Sequence, residues 1–189
     1  MRRVRYGVGM SLDGYIADPR GATDWLVSDP SYDPRSFFQS VDTAIMGRIT
    51  FELARRQGMQ GGYPGLRTYV CSRTLRAADY PEVTVLADDV GGAIRALRRE
   101  PGKDIWLAGG GGLLRSLLAE GVVDTIEVGV SPLLLGQPGA PVLATSPPLP
   151  HQVQLRLTRS DTFPSGLLVL EYAVKSRAAP RRGGRRRAD

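Results

Sequence analysis

Apolar and polar positions change period several times along this chain, and each change marks a predicted element. Val4 to Met10 reads as a first strand. The pair Asp13-Gly14 is a strong turn signal, and Asp18 to Asp24 reads as a polar loop ending at Trp25. Asp33 reads as an N-cap with Pro34 at the first helical position, which predicts a helix through Phe37 and Phe38 to about Ser40. A short buried strand, Asp42 to Met46, feeds Gly47-Arg48-Ile49-Thr50, and a helix is predicted from Phe51 to about Gln57. Four glycines and a proline between Gly58 and Gly65 mark a surface loop.

Strands are predicted again at Leu66 to Cys71 and at Val83 to Leu86. Asp88 or Asp89 then caps a helix with Val90, Ile94 and Leu97 on its apolar face, ended by Pro101-Gly102. Ile105 to Ala108 reads as a buried strand. A helix should start near Gly112 and run through Leu114, Leu117 and Leu118 to Gly121. Beyond that point the helical period disappears. Thr125 to Val130 is a strand with no helix behind it, Ser131 to Pro141 is a loop, and Val153 to Thr158 and Gly166 to Val174 form a hairpin around Asp161 to Ser165. Alternating strand and helix followed by strands alone predicts an α/β fold. Its sheet is mixed and mostly parallel, with antiparallel C-terminal strands and helices on both faces.

Chemistry concentrates where predicted strands end. The run Ile105 to Ala108 enters four glycines, Gly109 to Gly112. Glycine permits close approach of backbone to a ligand, and a helix N-terminus offers free N–H groups and partial positive charge. The stretch therefore suits a dinucleotide pyrophosphate, and equally a tight strand-to-helix turn packed through glycines. It is neither G-x-G-x-x-G, because residue 114 is Leu, nor a P-loop, because no Lys-Ser or Lys-Thr pair follows. Gly47-Arg48 and Ser72-Arg73 are two further junctions of this kind. One anionic ligand spanning all three fits the rule that open α/β sheets bind at the carboxyl ends of their strands.

Composition narrows the classes. The 189 residues, 42% of them hydrophobic, suit one domain with a real core. No run approaches the roughly 20 apolar residues of a membrane helix, and the N-terminus does not resemble a signal peptide, so a cytoplasmic protein without a membrane partner is expected. Cys71 and His151 are each alone, which excludes an internal disulfide and a Cys/His zinc site; no metal is expected. The net charge is +6, but residues 176 to 189 hold six arginines against one acid. The body, residues 1 to 175, is thus close to neutral and is no nucleic-acid platform. The Arg-rich tail, expected to be disordered, is the only part suited to nucleic acid.

Five motifs, in order, carry a resemblance. They are Ser11-Leu12-Asp13-Gly14-Tyr15-Ile16-Ala17, Met46-Gly47-Arg48-Ile49-Thr50, Cys71-Ser72-Arg73-Thr74-Leu75, Ala108-Gly109-Gly110-Gly111 and Pro132-Leu133-Leu134-Leu135-Gly136. The chain resembles the dihydrofolate reductase superfamily over about residues 3 to 175. It is most similar to the single-domain branch that shares its fold with the reductase domain of the riboflavin-biosynthesis deaminase-reductase.

The resemblance implies a three-layer dihydrofolate-reductase-like fold and NADPH as cofactor. By it, Arg48 and Thr50, beside Gly47, hold cofactor phosphates, and Ser72 and Arg73 flank the adenosine ribose. Gly109, Gly110 and Gly111, continuing into Gly112, form the pyrophosphate loop, with a cis Gly109–Gly110 peptide. Gly9, Ile16 and Ala17 meet the nicotinamide carboxamide, and Asp18 to Trp25 matches a closing loop. The implied reaction is hydride transfer to a C=N or C=O of a small pterin- or pyrimidine-like substrate. It is of the dihydrofolate reductase or 5-amino-6-(5-phosphoribosylamino)uracil reductase type.

The superfamily's acidic position falls near Ser31, so Asp33 is the candidate proton-relay or substrate-anchoring carboxylate, with a plain helix N-cap as its other reading. The zinc deaminase motifs of the bifunctional enzymes are missing. A homodimer is expected from the resemblance. The alternatives are a non-catalytic NADPH-binding protein, or a nucleic-acid-associated protein acting through its basic tail.

Overall fold

The computed structural model describes residues 1–60, 62–143, 149 and 151–175; the Arg-rich segment read above as a disordered tail lies outside them. Eight strands form one sheet. They are β1 (Val4–Ser11), β2 (Val41–Gly47), β3 (Arg67–Cys71), β4 (Thr84–Leu86), β5 (Asp104–Gly109), β6 (Thr125–Ser131), β7 (Leu155–Thr162) and β8 (Leu168–Val174). Their order is β4-β3-β2-β5-β1-β6-β8-β7. The first six pair in parallel, and β8 lies antiparallel to both β6 and β7. The helices are α1 (Arg35–Gln39), α2 (Arg48–Arg56), α3 (Val90–Leu97) and α4 (Gly111–Ala119).

Period-2 alternation sorts side chains to two faces. On one face Val4, Tyr6, Ile45, Ile105, Leu107, Ile126 and Val128 pack with Ile94 and Leu97 of α3 and with Leu114, Leu117 and Leu118 of α4. On the other, Val41, Ala44, Met46, Val70 and Trp106 pack with Phe51 of α2 and Phe37 of α1. The layers are therefore helix, sheet and helix, as the strand–helix alternation implies. Helix α4 ends in a Schellman turn. Gly121, at φ +66°, donates to Leu118 O, and Val122 donates to Leu117 O.

Several boundaries differ from the sequence reading. Helix α1 has only five residues, and its N-cap is Pro34, not Asp33. Asp33 instead accepts a hydrogen bond from Arg35 N, two residues on, in an Asx-type turn that leaves Pro34 to open the helix. Helix α2 begins at Arg48, because Gly47 serves as its extended N-cap directly at the strand end. The C-terminal hairpin turns later, around Phe163 to Leu167, where Gly166 at φ +84° supplies the left-handed residue. Strand β7 consequently includes Asp161 and starts at Leu155.

Candidate active site

The sheet order places β3, β2 and β5 side by side, so their three carboxyl ends form one continuous edge. Gly47 pairs in register with Cys71, and Met46 with Gly109. The three junctions picked out in the sequence are thereby neighbours. Helices α2 and α4 both start at this edge with glycine N-caps, Gly47 and Gly110, and no side chain caps either. In α4 Leu113 N already donates to Gly110 O, and a helix start without a side-chain cap suits an anion.

Gly109 has φ +135° and the Gly109–Gly110 peptide is cis, as the resemblance implies. The Thr50 hydroxyl faces these two residues, lying 3.3 Å from where a Cβ on Gly109 would stand. Gly111 is buried against the Val142–Leu143 backbone, where a Cβ would overlap the Val142 carbonyl oxygen and sit 2.8 Å from that of Leu143. This backbone also receives the first loop. Ile16 N donates to Pro141 O, Leu143 N donates to Gly14 O, and Tyr15 bridges Val142. Ile16 and Ala17 are thus held beside the glycine junction. Asp13 serves the same end, since its carboxylate accepts from Leu135 N and Gly136 N and joins the 11–15 and 132–136 loops.

Arg48 and Arg73 are both exposed. Arg48 forms an i,i+4 ion pair with Glu52 at 2.8 Å, which is weak enough at a surface to be exchanged for a ligand anion. The Ser72 hydroxyl accepts from Thr74 N and Leu75 N, so it shapes the turn that carries Arg73. Gly112, on the first turn of α4, is exposed.

Below this edge lies a cavity of about 250 Å³ on the α1 face of β1, β6 and β8. Gly7, Gly9 and Gly129 line it, and the first two make room for the side chains that wall it. A Cβ at Gly7 would come within 3.1 Å of Phe37, and one at Gly9 within 2.8 Å of Leu26. Phe37, Phe38 and Trp106 form an aromatic wall, with Trp106 5.8 Å and 5.3 Å from the two phenyl rings. The Trp106 indole donates to Gly7 O at 3.2 Å.

Asp33 does not line this cavity, although Pro34 beside it does. Its carboxylate is exposed and paired with Arg35, which holds it below the usual carboxylate range. Asp29 is buried and also held low, by hydrogen bonds from Ser31 and Ser165 that tie the segment before α1 to the β7–β8 hairpin. Because its folded-state pKa is depressed, Asp29 stabilises the fold above the ordinary aspartate range near pH 4 and ceases to do so as pH falls through its own lower pKa. Asp29→Ala should therefore unfold more readily in urea at pH 7, with the difference from the parent shrinking below about pH 4.

The carboxylate that does line the cavity is Glu127, on β6, which the sequence reading passed over. Its signal was present. Ile126, Val128 and Val130 alternate toward the α3–α4 core, which turns Glu127, Gly129 and Ser131 to the other face. Burial pushes the Glu127 carboxyl up, opposed by Arg159, whose Nη2 lies 3.1 Å away. Among the described residues, no group of His, Cys, Asp and Glu could hold a metal ion, and no helix is long and apolar enough to cross a membrane.

The family described as the RibD C-terminal domain matches residues 2–169. The chain is 28% identical over 182 residues to YyaP of Bacillus subtilis (strain 168), a protein described as uncharacterized, covering 90% of this chain and 94% of that one. Among solved structures it is similar to one from Shewanella sp. PV-4 described as a riboflavin biosynthesis protein. That match has TM-score 0.76 and 26% identity, over 92% of this chain and 99% of the other. The fold also extends to dihydrofolate reductase from Enterococcus faecalis, with TM-score 0.60 and 15% identity over 92% and 97% of the two chains.

Proposed function

Since the chain belongs to the RibD C-terminal domain family, we propose that it is an NADPH-dependent reductase acting on a C=N or C=O bond of a small pterin- or pyrimidine-like heterocycle. The observation that carries this reading is the single edge formed by three strand ends, where two uncapped helix N-termini meet above an apolar cavity floored by Gly9. A bound dinucleotide supplies the hydride; the protein supplies alignment and exclusion of water.

In this reading Gly109, Gly110, Gly111 and Gly112 present backbone N–H groups to the pyrophosphate, with Arg48 and Thr50 alongside. Arg73, on the turn shaped by Ser72, meets the adenosine 2′-phosphate, for which a planar guanidinium is well suited. The backbone at Gly9, Ile16 and Ala17 receives the nicotinamide carboxamide, which places the reacting ring at the mouth of the cavity. The segment from Asp18 to Trp25 covers it. The substrate occupies the aromatic cavity. A homodimer belongs to the same reading, and exposed Leu155 and Leu157 on edge strand β7 offer an apolar surface for it.

A parallel titration with NADPH and NADH, followed by the fluorescence of Trp25 and Trp106, tests the cofactor. NADPH should bind at least tenfold more tightly than NADH. Absence of binding by either nucleotide would overturn the reading. Steady NADPH oxidation with dihydrofolate or a ribosylamino-pyrimidine would separate a reductase from a protein that only binds the cofactor.

A further inference from the structure

The cavity has an unusual charge balance. Its lining holds one carboxylate, Glu127, and one phenol, Tyr32, but no Arg or Lys. Glu127 pairs in register with Gly7 on β1, and both line the cavity together with Gly129, two residues later on β6. Its residue exposure is 8%, and its ion-pair partner Arg159 also binds Asp161 at 3.0 Å. The positive charge of Arg159 is therefore shared between two acids. The groups facing Glu127 are Arg5 from β1, Glu171 from β8, Arg159 and Asp161 from β7, and Tyr32 from the segment before α1. Helix α1 contributes Phe37 and Phe38 to the cavity.

We propose that Glu127 is the substrate-anchoring carboxylate of this site, and that it selects a planar, phosphate-free C=N compound bound as its iminium. The proposal rests on the reductase reading and chooses C=N over C=O within it. A flat ring stacks on Phe37, Phe38 and Trp106, and a cationic N–H group satisfies the second demand of a buried carboxylate. A phosphate in the same space would meet the Glu127 carboxylate, while the nearest cation, Arg159, is already engaged by both Glu127 and Asp161.

The proton balance is closed. A neutral imine nitrogen takes the Glu127 proton, breaking O–H and forming N–H, which leaves an iminium paired with a carboxylate. A bound reduced nicotinamide would supply the hydride with its electron pair to the iminium carbon and be oxidised to the nicotinamide cation, while the C=N π pair would pass to nitrogen and leave a C–N single bond. The carboxylate regains a proton from solvent after the amine leaves. Burial, which favours the protonated carboxyl, prepares Glu127 for the first of these transfers.

The test needs no cofactor. In a Trp25→Phe background, Trp106 emission reports binding of benzamidinium, benzamide and phenyl phosphate, three flat probes that differ in charge. Benzamidinium should bind at least tenfold more tightly than benzamide, and phenyl phosphate should not bind at millimolar concentration. The preference should grow as pH rises through the Glu127 titration and vanish in Glu127→Gln. Arg159→Leu, at a half-exposed side chain on the edge strand, should move the pH midpoint upward, a shift that a purely structural Glu127 would not produce. Equal affinity for the three probes, a preference that survives Glu127→Gln, or a pH-independent preference would each overturn the proposal. If Glu127→Gln fails to fold, the Arg159→Leu midpoint decides it. Failure of NADPH to bind, with the probe preference intact, would overturn the reductase reading and leave the anchoring role standing.

Discussion

Arg73→Ala should lower NADPH affinity about ten- to hundredfold while leaving NADH affinity nearly unchanged. A charge-assisted hydrogen bond contributes about 1.5–3 kcal/mol, and each 1.4 kcal/mol is a factor of ten in binding. Arg73 is exposed on the turn after β3 and makes no ion pair among the described residues, so its loss leaves no buried charge behind. The effect should therefore be confined to the ligand that carries the 2′-phosphate. Arg48→Ala should behave differently. Arg48 lies on the first turn of α2, beside the glycine junction of α4, where the shared pyrophosphate would sit. Its removal should weaken NADPH and NADH alike, by about tenfold, since part of its charge is already engaged by Glu52. Competitive titration of both variants with both nucleotides distinguishes the two roles. An Arg73→Ala protein that keeps its preference for NADPH would remove Arg73 from the 2′-phosphate site.

Gly111→Ala should be the most damaging single-methyl change at the edge. A Cβ there collides with the backbone oxygens of Val142 and Leu143, and backbone cannot yield as a side-chain tip can. Overpacking of this kind costs about 1–3 kcal/mol. For a domain of this length that corresponds to a fall in melting temperature of roughly 2–12 °C. The damage should also spread to function. The 141–143 backbone that would be displaced holds Gly14 and Ile16 by hydrogen bonds, and Gly111 opens helix α4. NADPH binding should thus fall at least tenfold even at temperatures where the variant is folded, as read by circular dichroism beside a nucleotide titration.

Much of this molecule was legible in its residues because the relevant physics is local. Alternation at Val4, Tyr6 and Val8 and the helical spacing of Leu114, Leu117 and Leu118 are properties of short segments, so element order and the antiparallel C-terminal pair follow from them. Turn and cap chemistry was less decisive. Asp33 carries an N-cap signature, yet the same side chain can close an Asx turn onto Arg35 N, and local sequence does not choose between them.

The tertiary structure alone decided what lies beside what. Which strands neighbour one another depends on crossovers between distant segments, and that order turns three separate glycine- and arginine-bearing junctions into one edge. It also set the surroundings of Glu127. Sequence periodicity assigns Glu127 to a face, but its burial, its arginine partner 32 residues away and the cavity beside it arise only when β1, β6, β7 and β8 come together. A carboxylate's environment is set by the dielectric and the charges around it in space, and these are contributed by segments that a reading along the chain cannot bring into contact.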